Sequence, residues 1–269
     1  MQAKEKLSEF VATKPGVRVL KAREIFEVAD LAVRCDFPGL KSQIVEFPIT
    51  DKKQPLTAGR FTIQKSADLP FDYDFLELKI VISGSIRVKD SDGTIHQADV
   101  GDVLVFTPPT AVVFLGDSEG EAVYIAHRQQ APMFTKDGKG NQPVLSTEPG
   151  IQLIKSGTPE TIEVAPLVEL PDHKSQIIDL PISEENRPLS LGRFAMQPSI
   201  DFPFLYEYLE VKVILEGKIC VKDEAGVKYE ATPGDVYIFT PQTEVTFLAE
   251  SDGEAVYVGH REPEPLFFP

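Results

Sequence analysis

The chain of 269 residues has no tryptophan, two cysteines and four histidines. Cys35 and Cys220 cannot form a disulfide framework, and they point to a reducing, cytoplasmic compartment. The opening MQAKEKLSEFVATKPG lacks the apolar core of a signal peptide, and no apolar run is long enough to cross a membrane. A glycine-rich phosphate loop, the Cys/His spacings of a zinc site and a serine nucleophile elbow are all missing. Motif-borne nucleotide, zinc and hydrolase chemistries are therefore excluded. Positive charge is in deficit: 27 Lys and Arg stand against 42 Asp and Glu, a formal charge of -15. Such a surface repels phosphate backbones and acidic membranes, so neither nucleic acid nor membrane is an expected partner. Helical periodicity is scarce as well, with a short amphipathic stretch over residues 1–13 as its one candidate.

What the chain has is a long internal repeat. Shifted by 133 residues, it matches itself without a gap from Pro38 to Arg128, with roughly half the paired positions identical. Gly59-Arg60-Phe61 meets Gly192-Arg193-Phe194, and Gly120-Glu121-Ala122-Val123-Tyr124 meets Gly253-Glu254-Ala255-Val256-Tyr257. Between these matches run short β-rich segments broken by Gly, Pro and Asp, such as Phe75 to Ile82 before Ser83-Gly84. Strands at this spacing predict an all-β chain of two sandwiches or barrels. Residues 129–150 are rich in Pro, Gly and polar side chains. The expected division is an N-terminal domain over 1–134, a linker over 135–150 and a C-terminal domain over 151–269.

Side chains on a strand alternate between two faces. One face of the central segment reads Tyr73, Phe75, Glu77, Lys79, Val81, and in the second copy Tyr206, Tyr208, Glu210, Lys212, Ile214. The other face is aliphatic: Leu76, Leu78, Ile80, Ile82, then Leu209, Val211, Val213, Leu215. Two arrangements satisfy this pattern. Either the aliphatic face is the core and Glu and Lys sit in water, or the Tyr–Glu–Lys face lines an interior.

Further residues carry the comparison to a family. Glu77 followed by six residues and Gly84 resembles the end of the first cupin motif, and Gly101-Asp102-Val103 through Pro109 resembles the start of the second. Both recur at Glu210 to Gly217 and Gly234 to Gln242. Leu69-Pro70-Phe71 with Tyr73, Leu76 and Glu77, and Phe202-Pro203-Phe204-Leu205-Tyr206 through Val211, are similar to the cupin domain of the ethanolamine utilisation protein EutQ. The resemblance implies two tandem cupin barrels, double-stranded β-helices related to jelly rolls, over roughly residues 38–128 and 171–261. It also implies that Glu77 and Glu210 point inward, and with them Tyr73, Lys79, Tyr206 and Lys212. Cupins usually hold a metal on three histidines and a carboxylate. Here the histidine positions carry Phe71, Tyr73 and Val112, and Phe204, Tyr206 and Val245.

The expected function is acid–base chemistry without the usual metal site. Tyr73, Glu77, Lys79, Tyr206, Glu210 and Lys212 are the candidate catalytic residues of an isomerase or lyase acting on a small carboxylated or carbonyl-bearing metabolite. Arg60, Gln64, His127, Arg193, Gln197 and His260 recur between the copies and are the candidate substrate-binding residues. No cofactor is expected; a divalent metal on an unusual Glu/Tyr ligand set is a weaker alternative. A non-catalytic bicupin that binds a small molecule or acts as a scaffold is the reading from another class. A homodimer is expected by analogy with cupins.

Overall fold

The computed structural model describes residues 16–22, 28–50, 56–127, 150–158, 160–183 and 189–261. Runs of β-branched and aromatic residues form two antiparallel sheet systems of ten strands each. Helix is limited among the described residues to the single turn Leu31–Arg34, capped by the Asp30 carboxylate on the amide of Ala32. No helix among them is long and apolar enough to cross a membrane.

The described chain divides into two compact units. Residues 28–156 form the first, and 16–22 joins 157–261 in the second. In the first unit the main sheet runs, in spatial order, Gly150–Ile154, Val103–Thr107, Glu77–Lys89, Glu119–Ala126, Thr57–Ile63, Ser42–Pro48 and Ala29–Asp30. Leu69–Tyr73 pairs with Thr110–Phe114. The far half of Glu77–Lys89 leaves the main sheet to pair with Ile95–Asp99 and Thr110–Phe114. One strand thus serves both walls of a barrel. It bends at Gly84, whose φ of +66° belongs to glycine, and where a Cβ would come within 2.0 Å of the Glu119 carbonyl oxygen. The second unit repeats this order with Val17–Leu20, Val236–Phe239, Leu209–Asp223, Asp252–His260, Ser190–Met196, Ser175–Pro181 and Ile162–Glu163.

Each barrel encloses an aromatic core. Phe61, Tyr73, Phe106, Phe114 and Tyr124 belong to the first, and Phe194, Tyr206, Phe239, Phe247 and Tyr257 to the second. The aliphatic residues Leu76, Leu78 and Ile80 lie on the outer face of the sheet and are buried as well.

Two strands pair outside the repeat that follows them in sequence. Gly150–Ile154 precedes the second repeat, yet it pairs with Val103–Thr107 of the first, Ile151 opposite Phe106. Val17–Leu20 precedes the first repeat, yet it pairs with Val236–Phe239 of the second, Val17 opposite Phe239. Each repeat therefore donates its leading strand to the other barrel. A buried carboxylate secures each donation. Asp102 accepts from the Lys155 ammonium at 2.6 Å and from the Ser156 amide at 2.6 Å. Asp235 accepts from Lys21 at 2.8 Å and from the Ala22 amide at 2.7 Å. Burial pushes both carboxyls up, but these donors outweigh it and hold them below the ordinary aspartate value. The sequence signal was the pair Gly16 to Lys21 and Gly150 to Lys155, spaced by 134 rather than 133 residues and so outside the gapless match. Residues 1–13 and 128–149 lie outside the described residues.

Candidate functional site

Leu69–Tyr73 and Glu77–Lys89 are joined by a tight connection, which sets Tyr73 beside the first residues of the long strand. Glu77 and Lys79 then share the inner face by alternation. The Tyr73 hydroxyl donates to Glu77 Oε1 at 2.8 Å, and Lys79 Nζ donates to the same oxygen at 2.7 Å. Phe106 stacks on Tyr73 at 4.3 Å, and Lys79 Nζ lies 4.5 Å from the ring centre of Phe61 and 4.7 Å from that of Tyr124. The second barrel reproduces this geometry. Tyr206 and Lys212 meet Glu210 Oε1 at 3.0 Å each, Phe239 stacks on Tyr206 at 4.2 Å, and Lys212 faces Phe194 at 4.5 Å and Tyr257 at 4.4 Å. All six trio residues are buried. The interior arrangement is thus the one this chain adopts.

Burial sets the chemistry of the trio. It pushes the Tyr73 and Tyr206 hydroxyls well above the ordinary tyrosine value, and the neighbouring glutamates push them further, so both remain donors. It pushes the Lys79 and Lys212 ammoniums down, only partly offset by Glu77 and Glu210. A lysine in this state gives up its proton more readily than one in water.

Tyr124 and Tyr257 complete each floor, and a glycine makes room for each. A Cβ on Gly59 would lie 2.5 Å from Tyr124 Cζ, and one on Gly192 would lie 2.2 Å from Tyr257 Cζ. The Tyr124 hydroxyl donates to the Val45 carbonyl at 3.1 Å. The Tyr257 hydroxyl shares its one proton between the Ile178 carbonyl at 3.1 Å and Asp179 Oδ1 at 2.9 Å. Asp179 in turn pairs with Arg261 at 2.6 Å, and the Arg261 guanidinium lies 4.3 Å over the Tyr208 ring. A cleft with a cavity volume of about 50 Å³ opens onto this second trio. Its walls are apolar, among them Val164, Val168, Phe202 and Phe204, and Tyr206, Tyr208, Glu210 and Lys212 are its polar lining.

The expected substrate-binding residues sit elsewhere. Phe61 and Ile63 occupy the first interior, so Arg60 and Gln64 point the other way. Arg60 pairs with Glu121 at 3.2 Å and Arg193 with Glu254 at 2.9 Å, while Gln64 and Gln197 are exposed. Ala122, Tyr124 and Ala126 face inward, which turns His127 to the outer face; Ala255 and Tyr257 do the same to His260. Recurrence between repeats identified these six residues but carries no information about the face they occupy. Asp179 and Arg261 were missed. Glu46 and Arg128 stand at the matching positions, and an acid kept between apolar neighbours in Val45-Glu46-Phe47 and Ile178-Asp179-Leu180 was the available signal.

The comparisons with known proteins agree with this architecture. Residues 145–262 match the family model described as ethanolamine utilisation protein EutQ. The structure of Ylba from Escherichia coli superposes with a TM-score of 0.63 over 97% of this chain and 98% of that one, at 13% identity. A cupin 2 conserved barrel domain protein from Leptotrichia buccalis gives a TM-score of 0.54 over 88% of this chain and 98% of its own, at 10% identity. Both barrels have the cupin fold. No curated protein sequence matches the chain significantly. Streptomyces albus HEPD, in a structure with 2-hydroxyethylphosphonate and Fe(II) bound, superposes on the same cupin architecture with a TM-score of 0.61, 10% identity and coverage of 93% and 77%. At these identities the likeness concerns the fold alone.

The cupin interiors of this chain lack the usual three-histidine ligand set for a divalent metal. Phe71 stands opposite Val112, and Phe204 opposite Val245, where imidazoles would be required. The one carboxylate in each trio already holds an ammonium within hydrogen-bonding distance, a positive charge where a metal cation would have to sit. Among the described residues no group of three or more His, Cys, Asp or Glu converges.

Proposed function

We propose that the second cupin barrel receives a small carbonyl-bearing or carboxylated metabolite and transfers a proton on it. The observation that carries this reading is the cleft of about 50 Å³ that reaches Glu210 and Lys212 through apolar walls. Lys212 passes its proton to Glu210, 3.0 Å away, and as a neutral amine accepts a proton from the carbon next to the carbonyl. Tyr206, kept protonated by burial, stands beside Glu210 as a hydrogen-bond donor for the enolate oxygen. Return of the proton at a different carbon is isomerisation; departure of a group from the next carbon is elimination.

The test is proton exchange in heavy water. A panel of three- and four-carbon oxo acids is followed by NMR with wild type and with the double variant Glu210→Gln/Lys212→Met, which removes both charges and leaves neither buried alone. Wild type is expected to exchange the proton next to the carbonyl, and the variant not. Equal exchange by both proteins would refute the mechanism. A second reading, binding without turnover, is favoured by the first barrel. There the same trio is buried, and Phe75 beside it is only 5% exposed. Saturable binding with neither exchange nor conversion would establish that reading instead.

A further inference from the structure

The two barrels repeat the trio but differ in the residue next to it. Phe75 in the first is buried and packs edge-on to Tyr73 with ring centres 5.5 Å apart. Its counterpart Tyr208 is half-buried, lines the cleft, and stands 5.8 Å from Tyr206 in the same edge-on manner. The ring position is kept, and a hydroxyl is added at the wall of the cavity.

The ring that carries that hydroxyl has a built support. The Arg261 guanidinium lies over it, 4.3 Å from the ring centre. Asp179, fully buried, fixes Arg261 from behind at 2.6 Å and is itself fixed by the Tyr257 hydroxyl at 2.9 Å. Burial raises the Tyr208 pKa by more than Arg261 lowers it, so the group is a donor and not a phenolate. The cleft's polar lining is Tyr206, Tyr208, Glu210 and Lys212; Tyr206 and Lys212 already donate to Glu210, each at 3.0 Å, and the other lining residues are hydrocarbon.

We propose that Tyr208 is the specificity-determining residue that commits the second barrel to a small carboxylate, its hydroxyl donating to one carboxylate oxygen and its ring held by the Arg261 guanidinium stacked over it. This rests on the reading of the second barrel as a ligand site. The cavity of about 50 Å³ sets the size. At roughly 10–15 Å³ for each water-sized occupant it admits about four, the bulk of a two- or three-carbon acid.

Acetate and acetamide form the probe pair, alike in shape and different in charge. Each is titrated by NMR into wild type, Tyr208→Phe and Glu210→Gln/Lys212→Met, with backbone shifts over residues 202–212 as the readout and thermal unfolding as the control for folding. Wild type should take acetate in a saturable manner and acetamide at least tenfold more weakly. Tyr208→Phe, which copies the first barrel, should lose about tenfold or more for acetate while acetamide is unchanged, as expected for a hydrogen bond to a charged group. Acetate binding unchanged in Tyr208→Phe but abolished in the double variant would overturn this inference and leave the ligand site standing. Wild type insensitive to both probes would overturn the ligand site and the inference together.

Discussion

Lys79→Met tests what holds the first barrel's interior. The ammonium donates to Glu77 Oε1 at 2.7 Å with both side chains about 4% exposed, so water does not replace the lost partner. Glu77 would keep only the Tyr73 hydroxyl, and breaking a buried pair in this way costs about 3–5 kcal/mol. Loss of the cation over Phe61 and Tyr124 adds up to ~2 kcal/mol, part of which the methionine side chain recovers by packing. Adding Glu77→Gln removes the stranded charge and preserves an acceptor for Tyr73. The double variant should therefore return to within about 1–2 kcal/mol of wild type, a coupling of several kcal/mol. Urea unfolding followed by circular dichroism gives the overall midpoint, since the chain has no tryptophan to report by fluorescence. Two compact units need not unfold together, so hydrogen exchange in Glu77–Lys89 localises the effect. If Lys79→Met alone costs less than about 1 kcal/mol, or Glu77→Gln fails to restore it, the pair is not the buried, dry interaction argued above.

Other consequences are open to direct measurement. Gly59→Ala forces a Cβ to within 2.5 Å of the Tyr124 ring and 2.1 Å of the Val45 oxygen, and should destabilise by about 1–3 kcal/mol or more in thermal unfolding. Because Asp102 and Asp235 are held below their ordinary value, their stabilisation is fully present above about pH 3.9 and is lost as the pH falls through the lower folded-state value. Asp102→Asn with Asp235→Asn should flatten this acid limb, read as hydrogen exchange in Val17–Leu20 and Gly150–Ile154. His173 is buried against Phe202 at 4.5 Å and bonded to Ser175 at 2.6 Å, and burial pushes its pKa down. The unfolded chain then takes up the proton first, so stability falls as the pH drops below about 6.5. His173→Leu, which installs the residue found at position 40 in the first repeat, should shrink the difference in melting temperature between pH 7.5 and pH 5.

The fold was readable because its signals are local or duplicated. Strand alternation around Glu77 and Glu210 separates a polar from an aliphatic face without reference to anything distant. Which face turns inward is not a local property, since both faces are buried. The resemblance to cupins decided it, and the trio was found where it led. Arg60 and His127 show the limit of recurrence. Both repeat in sequence, but a one-residue offset along a strand reverses the side chain, and only the neighbours Phe61 and Ala126 reveal the direction. The donated strands were invisible for another reason. Five or six residues spaced by 134 instead of 133 leave a weak trace, and their pairing partners lie far along the chain.

The exchange of leading strands also sets a timetable for synthesis. Val103–Thr107 emerges from the ribosome before Gly150–Ile154 does, so its outer edge waits for a partner. Val17–Leu20 is already present at that moment, carries the same Gly-to-Lys pattern, and must remain unclaimed until Val236–Phe239 arrives over two hundred residues later. Pairing at such separation is slow. The first strand and Gly150–Ile154 thus offer similar edges to the first barrel, and the exchanged state requires Gly150–Ile154 to pair with Val103–Thr107 more favourably than Val17–Leu20 would.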